Sequence, residues 1–290
     1  MKQPKIYNLL VFLIACVAVV ASSAGIFTRG GPGEYEHMSI RGKSILIYGT
    51  GLYRDMSADV AIQGIAQDYV TLFMAVPLLL AAWFFSRSGS LKWRFMLAGT
   101  LSYFLVTYLM YLGIAMYNAM FLAYVVLIGT SLFAVALTLL SFDLNALPQQ
   151  FGKTAPIKLA GGFLIFNSII ISLLWLGVVL PPLLDGTIVP DAVQHYTTLT
   201  VQGLDLAIFL PLSFVAGYLL INRKPLGYLL STTTLIFLPL LMSALVAKII
   251  AMGLAGDNIV PVVFIMPVLL IAASVCAILL TKNLNSQNQA

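Results

Sequence analysis

Three ionisable side chains sit within or beside the long apolar runs of this chain: Asp68, Asp205 and Lys248. A charge at membrane depth is costly, so such residues serve ion, proton or substrate pathways, or occupy helix ends where the cost falls away. Lys248 lies about six residues before the end of its run, roughly 9 Å at 1.5 Å per residue, in the same leaflet as both aspartates. One reading has Asp68 and Asp205, with Gln67 and Gln202 beside them, flanking an outward-facing polar cavity that holds a cation, a proton or a polar ligand. The other has each Asp capping a helix N-terminus and Lys248 snorkelling to the interface, with no ligand.

A second group lies on the third apolar run. Thr100, Tyr103, Thr107, Tyr111 and Asn118 fall within an arc of about 80° at 100° per residue. Such a stripe lines a solute path or joins helices in lipid through interhelical hydrogen bonds. Four prolines, Pro77, Pro211, Pro239 and Pro267, each remove a backbone donor and can bend their helices.

Other chemistries find little support. His37 and His195 are isolated and make no metal or haem set, so neither a metal nor a cofactor is expected. Arg41-Gly42-Lys43-Ser44 ends like a phosphate loop, but His37 stands where its first glycine is required. Gly49-Thr50-Gly51 lacks the third glycine of a dinucleotide fingerprint and reads as a turn. An intramembrane enzyme would have only Asp68, Asp205 and His195 as acid or base. Cys16 and Cys276 lie in the first and last runs and imply no disulfide framework.

The elements that must position these residues follow from composition. The chain has 290 residues, 61% hydrophobic and 9% charged, where soluble domains are near a quarter charged. In hydrocarbon each backbone amide must be satisfied within its own segment or a closed barrel, and apolar runs without alternation select helices. An all-α membrane protein of about eight transmembrane helices is predicted, over residues 6–27, 69–85, 95–116, 119–140, 159–180, 204–221, 226–254 and 260–280. The first is expected to be an uncleaved span, being longer than the hydrophobic region of a signal peptide.

Lys2, Lys5, Arg87, Lys92, Arg94, Lys153, Lys158, Arg223, Lys224 and Lys282 fall on one side, against Asp143 alone. Most acids fall on the other. By the positive-inside rule, both termini are expected to be cytoplasmic, with anionic lipid rather than nucleic acid as partner of the net +5 charge. Trp83, Trp93 and Trp175 read as interface anchors.

Each half, 1–145 and 146–290, contains a span, a longer outside connection, two spans joined by a basic loop, and a final span. That predicts a 4+4 parallel repeat with sites between the halves. The outside segment 28–67 is expected to form a β-hairpin cap, with strands either side of Arg41-Gly42-Lys43. After it, 55–67 reads as a surface helix near the outer interface, with Ser57 as N-cap.

Gln67-Asp68-Tyr69-Val70-Thr71-Leu72 ahead of Pro77-Leu78-Leu79-Leu80, followed by Arg87-Ser88-Gly89-Ser90-Leu91, resembles a family of uncharacterised bacterial polytopic membrane proteins. The likeness runs from Gly49 to about Asp143 and implies a bacterial plasma-membrane location, but no chemistry. A transporter or permease for a small solute or ion is the leading expectation, with a sensor or assembly subunit that binds a membrane partner as the alternative.

Overall fold

The computed structural model describes residues 5–284. Lys2 and both chain ends lie outside them. Eight helices among the described residues are long and apolar enough to cross a membrane, so the chain is a multi-pass membrane protein. They are α1 (Lys5–Phe27), α2 (Ala58–Ser86), α3 (Leu91–Ile114), α4 (Phe121–Leu140), α5 (Ile157–Asp185), α6 (Thr200–Ile221), α7 (Pro225–Leu254) and α8 (Val262–Lys282).

The helices pack in two rings. In the first, α1 touches α2 and α4, while α3 touches α2 and α4. In the second, α5 touches α6 and α8, while α7 touches α6 and α8. The rings meet where α7 lies against α2 and α3. Without a hydrophobic drive between helices in lipid, close approach depends on small residues. A Cβ on Gly161 of α5 would lie 2.7 Å from the Gly217 carbonyl of α6, and one on Gly217 would lie 2.5 Å from the Gly161 carbonyl.

Between α1 and α2 stands the expected hairpin, with β1 (Tyr35–Met38) antiparallel to β2 (Ser44–Ile47) and Tyr35 opposite Ile47. Gly42 takes the positive φ of +74° that the tight turn needs. The alternation of a strand puts Ile47 inward, where it is buried, and leaves Met38 and Leu46 outward.

One expectation is corrected here. The stretch 55–67 is not a separate surface helix: α2 begins at Ala58 and continues without a break to Ser86. Ser57 does precede its first turn, but the side chain makes no cap and its hydroxyl lies 3.3 Å from that of Tyr196. The continuity survives Pro77 because a π-turn, Thr71–Ala75, widens the helix just before it. The extra residue relieves the clash between the proline ring and the preceding turn. In α6 the π-turn Asp205–Phe209 stands in the same relation to Pro211.

Candidate functional site

Because α2 is continuous, Asp68 lies well inside a helix and not at its N-terminus, which removes the capping explanation for it. Its side chain is buried, with 2% exposure, at the heart of the first ring. The Tyr53 hydroxyl donates to Oδ2 at 2.6 Å. The Tyr111 hydroxyl lies 3.0 Å from Oδ1 and 2.8 Å from the Gly64 carbonyl, two acceptors for one proton. α1 makes room with a glycine, since a Cβ on Gly25 would stand 1.8 Å from Asp68 Oδ2.

Aromatic rings close the remaining sides. Tyr53 stacks on Tyr111 at 6.1 Å, and Tyr124 of α4 stacks on Tyr111 at 5.4 Å and on Tyr108 at 5.9 Å. The buried Tyr108 hydroxyl has no hydrogen-bond partner among the described residues. The carboxyl group is therefore held in a buried, tyrosine-lined box with specific donors on both oxygens.

On either side of Asp68 in sequence, Gln67 and Thr71 form a second network with the α3 stripe. Gln67 Nε2 donates to the Tyr103 hydroxyl at 2.7 Å and lies 3.3 Å from Thr107, and the Thr71 and Tyr103 hydroxyls are 2.9 Å apart. The stripe residues Tyr103, Thr107 and Tyr111 all face α2. Thr100 instead bonds back to the Met96 carbonyl of its own helix. Asn118 leaves the stripe, because α3 ends at Ile114; it organises the turn before α4, accepting from the Met120 amide at 2.9 Å.

Asp205 occupies a different setting. It is half-buried, and Trp175 Nε1 donates to its Oδ2 at 2.8 Å, so this tryptophan does more than anchor an interface. Counted back from the two prolines, Thr71 and not Asp68 stands where Asp205 does, so the aspartates are not at matching places. Gln202, half-buried on the first turn of α6, forms part of neither network.

Lys248 on α7 lies in the electrostatic field of both Asp68 and Asp205. No carboxylate comes within ion-pair distance of its ammonium among the described residues, where the pairs found are Lys43–Asp191 and Arg54–Asp55. No group of three or more His, Cys, Asp and Glu side chains able to hold a metal occurs among the described residues.

Toward the hairpin end, a cavity of about 430 Å³ is lined by Thr28, Arg29, Leu52, Arg54, Asp55 and Asn118, among others. Tyr53, between two of these residues, turns inward to Asp68. This cavity and the buried Asp68 carboxyl thus share one stretch of chain, Leu52-Tyr53-Arg54.

The connection between α5 and α6 clamps onto the hairpin region between α1 and α2. Arg41 donates to the carbonyls of Gln194 and Tyr196, Lys43 pairs with Asp191, and Gln194 Nε2 donates to Asp59 at 2.8 Å. His195 Nε2 is 3.2 Å from the Asp55 carbonyl, and its ring is 6.1 Å from that of His37. Partial burial holds the His195 imidazole below the ordinary histidine range, and His37 pushes the same way. His195 bonds to neither Asp68 nor Asp205 among the described residues.

Sequence reasoning missed Gly25, Tyr53, Tyr108, Tyr124 and Trp175. The spacing of Phe104, Tyr108 and Tyr111 marks one helix face and was available as a signal; nothing local distinguishes Gly25 from its neighbours. Compared with known family models, curated proteins and solved structures, the chain matches none.

Proposed function

We propose that this protein is a transporter or permease for a small solute or ion, in which Asp68 takes up and releases a proton. The observation that carries the reading is the placement of the Tyr111 hydroxyl between Asp68 Oδ1 and the Gly64 carbonyl. As a carboxylate, Asp68 accepts from Tyr53 and Tyr111. As an acid, it donates from Oδ1 to the Tyr111 oxygen, and Tyr111 turns its own proton to Gly64. Both states are fully hydrogen-bonded, so neither incurs the ~1 to 3 kcal/mol of an unsatisfied buried group.

Further support comes from the surroundings. An ionisable group inside a membrane bundle is a functional candidate, and Lys248 lies within electrostatic reach of Asp68 without pairing with it. π-turns recur at functional sites, and both lie next to the charged residues. Tyr53, flanked in sequence by two residues of the cavity lining and bonded to Asp68, serves as the gate in this reading. The two packed rings suit a parallel 4+4 repeat whose relative movement would expose the site alternately. The basic connections suit a bacterial plasma membrane with both termini cytoplasmic.

The test reconstitutes the full chain in liposomes loaded with a pH-sensitive dye and drives proton entry with a potassium diffusion potential. Wild type should admit protons and Asp68→Asn, which keeps the box filled, should not. An infrared carboxylic-acid band that titrates in wild type should vanish in the same variant. Unchanged flux and an unchanged band in a folded Asp68→Asn protein would remove the proposal.

The sensor or assembly reading draws on one observation, the exposed apolar rim of the cap at Met38, Ile40 and Leu46, with Ile40 91% exposed. Loss of a membrane partner on deleting residues 34–48, with proton flux unaffected, would favour it.

A further inference from the structure

At the end of the bundle opposite the hairpin, a cavity of about 560 Å³ opens where the two rings meet. Its walls come from three places: the start of α3, the connection between α4 and α5, and the end of α8. The connection is tied to the chain beyond α8 by a backbone bridge between Phe151 and Leu284 and by the Gly152 amide donating to the Asn283 carbonyl at 2.8 Å. The cavity is therefore a built feature of the junction.

Its charge is one-sided. Lys92, Arg94 and Lys282 all line it, and none has a carboxylate within 4.0 Å among the described residues. The one acid in the lining, Asp143, directs Oδ1 to the amides of Asn145 and Ala146. Arg94 is pre-positioned: one guanidinium nitrogen donates to the Ser141 carbonyl at 3.3 Å, and the group lies over the Phe142 ring at 5.4 Å. That leaves most of its five N–H donors unspent. The first-turn amides of α3 border the same space, and Ser90 ahead of them makes no side-chain cap.

We infer that this cavity binds a phosphate-bearing anion. Arg supplies paired donors for phosphate oxygens, the two lysines add charge at the rim, and free helix amides complete the cradle. Two sources present that chemistry. One is the headgroup of an anionic phospholipid, held between helices at the basic end of the bundle. Its acyl chain would run along the exposed α8 face of Val268, Ile271, Val275 and Ile278, which leads to Lys282. The other is a soluble phosphate compound. Either would bridge the two halves at their basic end.

Native mass spectrometry of the full chain in mild detergent tests this, with phosphatidylglycerol, phosphatidylcholine, inorganic phosphate and ATP as probes. Phosphatidylglycerol should be retained over phosphatidylcholine, and Lys92→Gln/Lys282→Gln should weaken it roughly 25-fold, at about fivefold per lysine. Retention of phosphate or ATP instead, with the same sensitivity, assigns the site to a soluble compound. The exposed pair Lys158 and Lys224 lie outside the cavity and serve as control. If Lys158→Gln/Lys224→Gln weakens binding as much, or if no probe responds to loss of Lys92 and Lys282, the inference fails.

Discussion

Gly25 offers the sharpest test of the tyrosine box, because its contribution is space. Replacing it with Ala places a methyl group 1.8 Å from Asp68 Oδ2, 2.9 Å from Asp68 Cγ and 2.8 Å from the Tyr53 hydroxyl. The carboxyl group must move, since α1 is fixed by its packing on α2 and α4. Overpacking costs about 1 to 3 kcal/mol, and leaving the buried Tyr53 hydroxyl without its acceptor adds about 1 to 3. A total of roughly 4 kcal/mol should lower the thermal midpoint by on the order of ten degrees. Gly129→Ala is the reference: a Cβ there meets nothing within 4 Å, so this change should be neutral or stabilise by up to about 1 kcal/mol. The measurement is intrinsic-fluorescence melting of the purified protein in mild detergent, run as a double-mutant cycle with Asp68→Ala. Removing the carboxyl takes away two of the three clashing atoms, so Gly25→Ala should cost much less in that background, a coupling of about 2 to 3 kcal/mol. Equal cost in both backgrounds would refute the idea that Gly25 makes room for Asp68.

Two further outcomes follow from the same geometry. The clamp on the hairpin should weaken in acid: with His195 held below its ordinary value of 6.5, the released segment takes up the proton first. Docking is then complete above about pH 6.5 and is lost progressively as pH falls through the depressed value. Hydrogen exchange over 187–199 between pH 7.5 and 5.5, corrected for intrinsic rates, should report that loosening. His195→Gln should abolish the pH dependence, and a persistent dependence would refute the assignment to His195. Gly217→Ala should push α5 from α6 and cost about 1 to 3 kcal/mol, while Gly162→Ala, which meets open space, should cost nothing measurable by the same melting assay.

The span pattern was legible because burial in lipid imposes a rule on every residue of a segment at once: long apolar runs must be helices, and their number and order can be read along the chain. The hairpin was legible for a similarly local reason, since alternation and a Gly-containing turn are properties of neighbouring residues. The polar stripe of Tyr103, Thr107 and Tyr111 was also visible from its period, and these three do meet α2.

What the sequence determined alone was thus the environment, the eight helices and the scarcity of charge that singles out Asp68, Asp205 and Lys248. Tertiary structure alone decided what those charges face. The π-turn before Pro77 let α2 run on and carried Asp68 from an expected helix end into its interior. The residues that meet it there, Gly25 from α1, Tyr53 from the loop and Tyr111 from α3, are far apart along the chain. Periodicity assigns a residue to a face of its own helix; which other helix that face meets depends on how all eight pack together, and no local pattern encodes that.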